Sequence, residues 1–239
     1  MALGLGKTFP NFAAKTTIGD IHFHDWLGDS WGILFSHPAD FTPVCTTELA
    51  RVLQLMPEFK KRHVKPIALS CDSVESHLRW INDIKFVAGK LFHRKTRKME
   101  GFPYPIIEDS DRRLCVQLGM LDEDELDSIG IPLPARAVFV VDSNKKYRLS
   151  ILYPATTGRN FTEILRTVEA MQMTDKNKVA TPADWMVNHY SIFFFTLTPI
   201  QKVWRKIISL RACAVCGDAV SMVFLWKGRS RQIVPQPSC

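Results

Sequence analysis

From Trp31 to Ser36 the chain is apolar almost without a break, Trp-Gly-Ile-Leu-Phe-Ser, and the same texture returns from Val64 to Ser70. Short apolar runs of this kind predict buried strands. Between them Leu49, Val52, Leu53, Met56 and Phe59 recur at spacings of three and four, which predicts an amphipathic helix. Lys60, Lys61 and Arg62 then fall where the helix dipole favours cations. Strand, helix and strand in this order predict a βαβ unit with parallel pairing and a right-handed crossover. Further on, residues 137–141 and 147–153 are strand-like runs joined by Asp142-Ser143-Asn144-Lys145, a turn composition that predicts a β-hairpin. Asn160 and Glu163 have capping-box spacing, and Phe161, Ile164, Leu165, Val168 and Met171 stripe the helix that this box opens.

A parallel βαβ unit followed by an antiparallel hairpin and a closing helix is the order of an α/β, thioredoxin-like fold, although fold alone does not select a function. Between Lys85 and Gly101 the pattern weakens into a basic stretch with Arg94, Lys95, Arg97 and Lys98, expected to be an exposed loop or helix-loop insertion. After Trp185 charge, aromatic density and cysteine spacing all change, which places a boundary near 180–186. The 239 residues are 46% hydrophobic and 23% charged, a composition that excludes a disordered acidic chain and a collagen-like repeat. The apolar run around residues 192–195 is broken by Thr196, Thr198 and Pro199, short of the roughly 20 residues that a membrane span needs.

The net charge of +7 is unevenly spread. Seven cations and one anion lie from Met186 onward, against 24 cations and 23 anions before it. The body is nearly neutral, so no nucleic-acid-binding face is expected. Six cysteines, at 45, 71, 115, 213, 216 and 239, are too few and too irregular for a disulfide framework. Residues 1–10 lack the pattern of a secretory leader. Together these features predict a reducing, cytoplasmic setting.

Cys45 stands where the loop after the first predicted strand turns into the helix. Unpaired backbone N–H groups and the helix dipole favour an anion there, and so the nucleophilic thiolate. Thr42 can offer its hydroxyl to the sulfur or to an incoming oxygen, and Pro38 and Pro43 restrict the loop. The spacing Pro38-x-x-x-Thr42-x-x-Cys45 resembles the peroxiredoxin active-site motif. The run from Gly28 through Glu48, with His37 directly before Pro38, is similar to the one-cysteine (peroxiredoxin-6-type) subfamily. Residues 135–140 and 149–160 extend the likeness, which covers residues 5 to about 185.

The resemblance implies a thiol-specific peroxidase acting on hydrogen peroxide and organic or phospholipid hydroperoxides. Cys45 would be the peroxidatic nucleophile, Thr42 would hydrogen-bond the peroxide, and Arg136 would hold the thiolate and the substrate oxygens. His37 would line the pocket, Glu48 would orient the arginine, and Arg159 would stand behind them. The sulfenic acid formed on Cys45 would be reduced by an external thiol, glutathione delivered by a glutathione transferase. No bound cofactor and no metal are implied, and a homodimer is expected. The implied layout is a peroxidase domain over 1–165, the start of a C-terminal extension over 166–185, and an atypical basic, aromatic tail over 186–239. If that tail prevents turnover, the alternative is a non-enzymatic redox sensor or interaction protein. Its Phe193, Phe194, Phe195, Trp204 and Trp226 are expected to form a sticky patch that weakens the dimer.

Cys71 and Cys115, at a strand end and in an apolar helix-like context, are expected to be buried and inert. Cys213 and Cys216 have redox-motif spacing without a βαβ context, and either is a candidate resolving thiol. As a zinc pair they lack a convincing second pair of ligands, since only His189 and Cys239 are at hand. Gly28-Asp29-Ser30-Trp31-Gly32 has the form of a hydrolase nucleophile motif, but Ser30 precedes its strand instead of following one. The subfamily is associated with a calcium-independent phospholipase A2 activity, and Ser30 with His24 match its serine and histidine. Its acid aligns with Asn144, leaving Asp142 as an imperfect substitute.

Overall fold

The structure, a computed structural model, describes residues 3–92 and 101–186. The chain divides after Phe161 into two units, Met1–Phe161 and Thr162–Cys239. In the first, β1 (Ala13–Thr16) and β2 (Gly19–His22) form a hairpin that leads through the short α1 (Phe23–Leu27) to β3 (Trp31–Ser36). The helix α2 (Pro43–Lys61) connects β3 to β4 (Val64–Ser70), and the two strands pair in parallel, as the hydrophobic pattern predicts. Next come α3 (Val74–Leu91), β5 (Ile106–Glu108), α4 (Arg113–Leu118), the separate ribbon β6 (Leu121–Leu126) with β7 (Pro132–Pro134), and the antiparallel hairpin β8 (Arg136–Val141) with β9 (Tyr147–Tyr153). The seven-stranded sheet runs β2-β1-β5-β4-β3-β8-β9. The last described helix, α5 (Phe161–Asn177), begins where the stripe of apolar residues predicts.

The central strands are buried on both faces, which is why they read as continuous apolar runs. Leu34, Ile67, Leu69, Ile107, Ala137 and Phe139 join one apolar cluster with Phe9, Phe23 and Leu27, while the alternating Ile33, Phe35, Ala68 and Val138 are buried as well. Gly32 lets β3 pack closely on α1: a Cβ there would stand 2.8 Å from a methyl of Leu27, which would have to move. Ser36 ties the end of β3 to the start of β8, its hydroxyl donating to the Ala135 carbonyl and accepting from the Ala137 amide.

Of the two forms expected for the stretch from Lys85, the described part takes the helical one: residues 85–91 are the last two turns of α3. Their periodicity is readable only with the preceding segment, whose buried residues His77, Trp80, Ile81, Ile84 and Ala88 mark one helical face. The cation cluster at 94–98, the cysteines at 213, 216 and 239, and the aromatic residues of the tail lie outside the described residues. No helix among the described residues is long and apolar enough to cross a membrane.

Candidate active site

In open α/β sheets the crevice for ligands lies beyond the carboxyl ends of the parallel strands. Here β3 runs out into His37 and the loop 37–42, pinned to β4 by the His37 amide, which donates to the Leu69 carbonyl at 2.9 Å. The loop ends in Phe41, an exposed aromatic residue held at φ 56, a region that non-glycine residues seldom occupy. Extended Thr42 then caps α2, and Pro43 takes the first helical position, where its missing N–H costs nothing. Cys45 therefore falls in the first turn of α2 and is fully buried. The first intrahelical bond runs from the Thr46 amide to the Thr42 carbonyl, so the amides of Val44 and Cys45 lie ahead of the helical ladder.

Arg136, the first residue of β8, donates from Nη1 to Cys45 Sγ at 3.3 Å and to Glu48 Oε2 at 2.9 Å. Its Nε donates to the Ala155 carbonyl at 2.7 Å. Arg159 holds the other side of Glu48, with its backbone amide and Nε on Oε1 at 2.7 and 3.0 Å and Nη2 on Oε2 at 2.7 Å. A further bond from Arg159 Nη1 reaches the Ala137 carbonyl, and its guanidinium lies over the rings of Phe35 and Phe161. Burial alone would raise the Glu48 carboxyl, but the charge and hydrogen bonds of Arg159, with the charge of Arg136, hold it below the usual carboxylate range. Two buried guanidiniums and one carboxylate leave a single uncompensated positive charge beside the Cys45 sulfur.

A second buried network stands behind the loop. His37 Nε2 lies 2.9 Å from Asp40 Oδ1, and His77 Nδ1 and Ser76 Oγ lie 2.8 Å from Asp40 Oδ2. Burial opposes ionisation of Asp40, yet the bonds from both histidines outweigh it and hold the carboxyl well below its ordinary range. His37 is pushed below its ordinary value by complete burial, against the pull of Asp40. A neutral His37 that donates from Nε2 to Asp40 keeps a lone pair on Nδ1, a buried nitrogen without a hydrogen-bond partner. Trp80 closes the group, its ring 5.0 Å from that of His37 and its Nε1 donating to Thr46 Oγ1 at 3.1 Å. The Asp40 amide donates to Asp72 Oδ2 at 2.9 Å, which fastens the loop to the end of β4.

Cys45, Glu48, Arg136 and Arg159 are thus brought into one hydrogen-bonded cluster, with Thr42, His37 and buried Pro38 on the loop that leads to it. The Thr42 hydroxyl donates to the Ala39 carbonyl at 3.0 Å and not to the sulfur, so its oxygen is left to accept. Asp40, His77 and Trp80 are the members that the sequence reading did not single out. Their signal was present: a histidine and a tryptophan three residues apart on the buried face of α3, facing an acid inside the proline-to-cysteine motif.

The three candidate hydrolase residues lie at the same end of the sheet, where Asp142 follows the Val141 that pairs with Gly32, but each is engaged elsewhere. Ser30 directly precedes β3, whereas Cys45 follows the loop at its other end. His24 Nε2 bonds the Phe9 carbonyl. Asp142 is consumed by the hairpin turn, accepting from the amides of Asn144 and Lys146 and from Arg148 Nη1. Among the described residues no hydrogen bond joins Ser30, His24 and Asp142. The expectation for the other cysteines also changes: Cys115 is buried, but Cys71 is only half-buried, and the two sulfurs touch. Two groups bring metal-ligating atom types within 4.8 Å, His37 with Asp40 and His77, and Cys71 with Asp109 and Cys115. In both, the carboxylate is already engaged by hydrogen bonds.

Residues 5–150 match the AhpC/TSA family, and residues 170–188 match the C-terminal domain of 1-Cys peroxiredoxin. The chain is 61% identical to peroxiredoxin-6 of Gallus gallus over 181 residues, which cover 76% of this chain and 78% of that protein. It is 59% identical to the Homo sapiens peroxiredoxin-6 over the same shares. The fold is similar to the crystal structure of the C45S mutant of peroxiredoxin 6 of Arenicola marina, with a TM-score of 0.76 and 55% identity over 81% of this chain and 84% of that one. It also resembles a yeast mitochondrial 1-Cys peroxiredoxin, with a TM-score of 0.71 and 45% identity over 80% and 86% of the two chains.

Proposed function

The chain belongs to the AhpC/TSA family and is a peroxiredoxin peroxidase, an oxidoreductase; from that premise we propose that Cys45 is its peroxidatic nucleophile, recycled by an external thiol. The observation that carries this reading is the bond from Arg136 Nη1 to Cys45 Sγ, in the first turn of a helix and inside a cluster that an anionic sulfur makes neutral. The thiolate attacks one oxygen of a hydroperoxide, the O–O bond breaks, and the departing oxygen takes a proton to leave as water or an alcohol. Arg136, already aimed at the sulfur, stabilises the charge that grows on the departing oxygen. The Thr42 oxygen accepts from the peroxide O–H.

Cys45 is left as a sulfenic acid, which a thiol must reduce before a second peroxide carries it to the sulfinic acid. Glutathione is the reductant of this reading. It is supported by the yeast 1-Cys relative, whose resolving mechanism is described as running through glutathione and thioredoxin systems. Hydrogen peroxide and organic or phospholipid hydroperoxides are the proposed substrates, and the active species is a homodimer. No hydrogen bond joins Ser30, His24 and Asp142 among the described residues, so the peroxidase reading is preferred to the hydrolase one, and the membership in a peroxidase family leaves no reason to prefer a sensor.

Steady consumption of hydrogen peroxide with glutathione and a glutathione transferase tests the proposal. The full chain is expected to turn over many times and the Cys45→Ser variant not at all. Equal turnover in the two would overturn it.

A further inference from the structure

The sulfurs of Cys71 and Cys115 lie 3.9 Å apart. Cys71 follows the last residue of β4, and Cys115 stands in α4. Their backbones are held in register by the β4–β5 pairing of Ser70 with Glu108 and by the Asp109 amide, which donates to the Ser70 carbonyl at 2.9 Å. Asp109 then fixes α4 by accepting from the amides of Leu114 and Cys115 at 2.9 and 2.8 Å. Two thiols are therefore presented to one another by structure on both sides, one with access to solvent and one enclosed by apolar neighbours.

A metal ion would also draw on paired sulfurs, but the third donor, Asp109, already has both oxygens on backbone amides. Joining the sulfurs needs less. A disulfide bond is about 2.05 Å long, so the sulfurs must approach by nearly 2 Å, a movement that side-chain rotation and a small shift of the six-residue α4 can share. That helix is flanked by Arg112 and Gly119, both in the left-handed conformation, so it is set off from the chain on either side.

The geometry points to a second redox centre: Cys71 and Cys115 form an intramolecular dithiol that a low-molecular-weight disulfide oxidises and a low-molecular-weight thiol reopens. The thiolate of Cys71, the accessible partner, attacks one sulfur of oxidised glutathione, and one glutathione leaves as its thiolate. The sulfur of Cys115 then attacks Cys71 Sγ, gives up its proton to the departing group, and expels the second glutathione. Two protein thiols are oxidised and one small disulfide is reduced to two thiols, without residue. Cys71 is the partner open to solvent and so the entry point, and the contact with Cys71 together with burial keeps the Cys115 thiol protonated at rest, which makes it the resolving sulfur. The centre does not depend on Cys45.

Equilibration of the full chain in glutathione redox buffers, followed by alkylation and peptide mapping, tests this. The expected result is loss of label from Cys71 and Cys115 together, with their peptides linked, in both the parent protein and the Cys45→Ser variant. The Cys115→Ser variant is expected to trap a glutathione adduct on Cys71. A stable adduct on Cys71 of the parent protein, a link from Cys71 to any other cysteine, or label retained on both sulfurs in the most oxidising buffer would overturn the inference. The map of the parent protein decides the matter even where a variant fails to fold.

Discussion

Arg136 satisfies three acceptors at once: the Cys45 sulfur, the Glu48 carboxylate and the Ala155 carbonyl. Only a planar, forked cation of fixed geometry can do this from a single position, and an ammonium on a flexible stem presents its donors from one point. Arg136→Lys keeps the charge but is expected to lose the donor on the sulfur side. The second-order rate of Cys45 oxidation by hydrogen peroxide should then fall about 10²-fold or more, the scale for removing one donor that acts on the transition state. Stopped-flow fluorescence or competition with a haem peroxidase measures it. A change of less than about twofold would mean that charge alone suffices and that the fork has no part in the reaction.

At the scale of elements, α4 is a helix that does not support itself. It has six residues, no side-chain cap from the residue that precedes it, and no acidic residue in its first turn. Asp109, several residues upstream, supplies both missing acceptors. Asp109→Ala is expected to lower the unfolding free energy by about 1–2 kcal/mol, the cost of an uncapped helix start, in urea titrations with an unchanged m value. The same reliance on distant groups explains which elements the sequence discloses. Parallel β3 and β4 are buried on both faces and α2 carries a clean apolar stripe, so their patterns stand out from the chain alone. By contrast, β1 and β2 hold four residues each with mostly exposed or half-buried positions, and β5 holds three, so pairing and not local pattern defines them. The site divides in the same way. Cys45, Thr42 and Pro38 sit within eight residues of one another and are legible as a motif. That Glu48 receives Arg136 and Arg159 from segments 88 and 111 residues away is a product of the sheet, and the lone signal for His77 is its place on a buried helical face.

For the molecule as a whole, the two buried networks tie stability to pH. His37 is held below its ordinary value of 6.5, so between that value and its folded one the unfolded chain binds a proton that the folded chain refuses. Stability from this residue is full above 6.5 and declines as the pH falls, by up to about 1.4 kcal/mol for each pH unit while the ring stays neutral in the fold. Asp40 and Glu48 act lower on the scale. Their folded carboxyls titrate below the ordinary values of 3.8 and 4.5, so their contribution is intact above that range and disappears as acid passes through it. Protonation of Glu48 leaves Arg136 and Arg159 buried without their shared anion, and protonation of Asp40 releases the loop that leads to Cys45. The expected thermal midpoint, followed by circular dichroism from pH 8 to pH 3, is level above about 7, falls gently below 6.5 and steeply below about 4.5. His37→Gln should flatten the upper decline and leave the lower one in place. A midpoint that stays level down to pH 5 in the parent protein would show that His37 does not remain neutral in the folded chain.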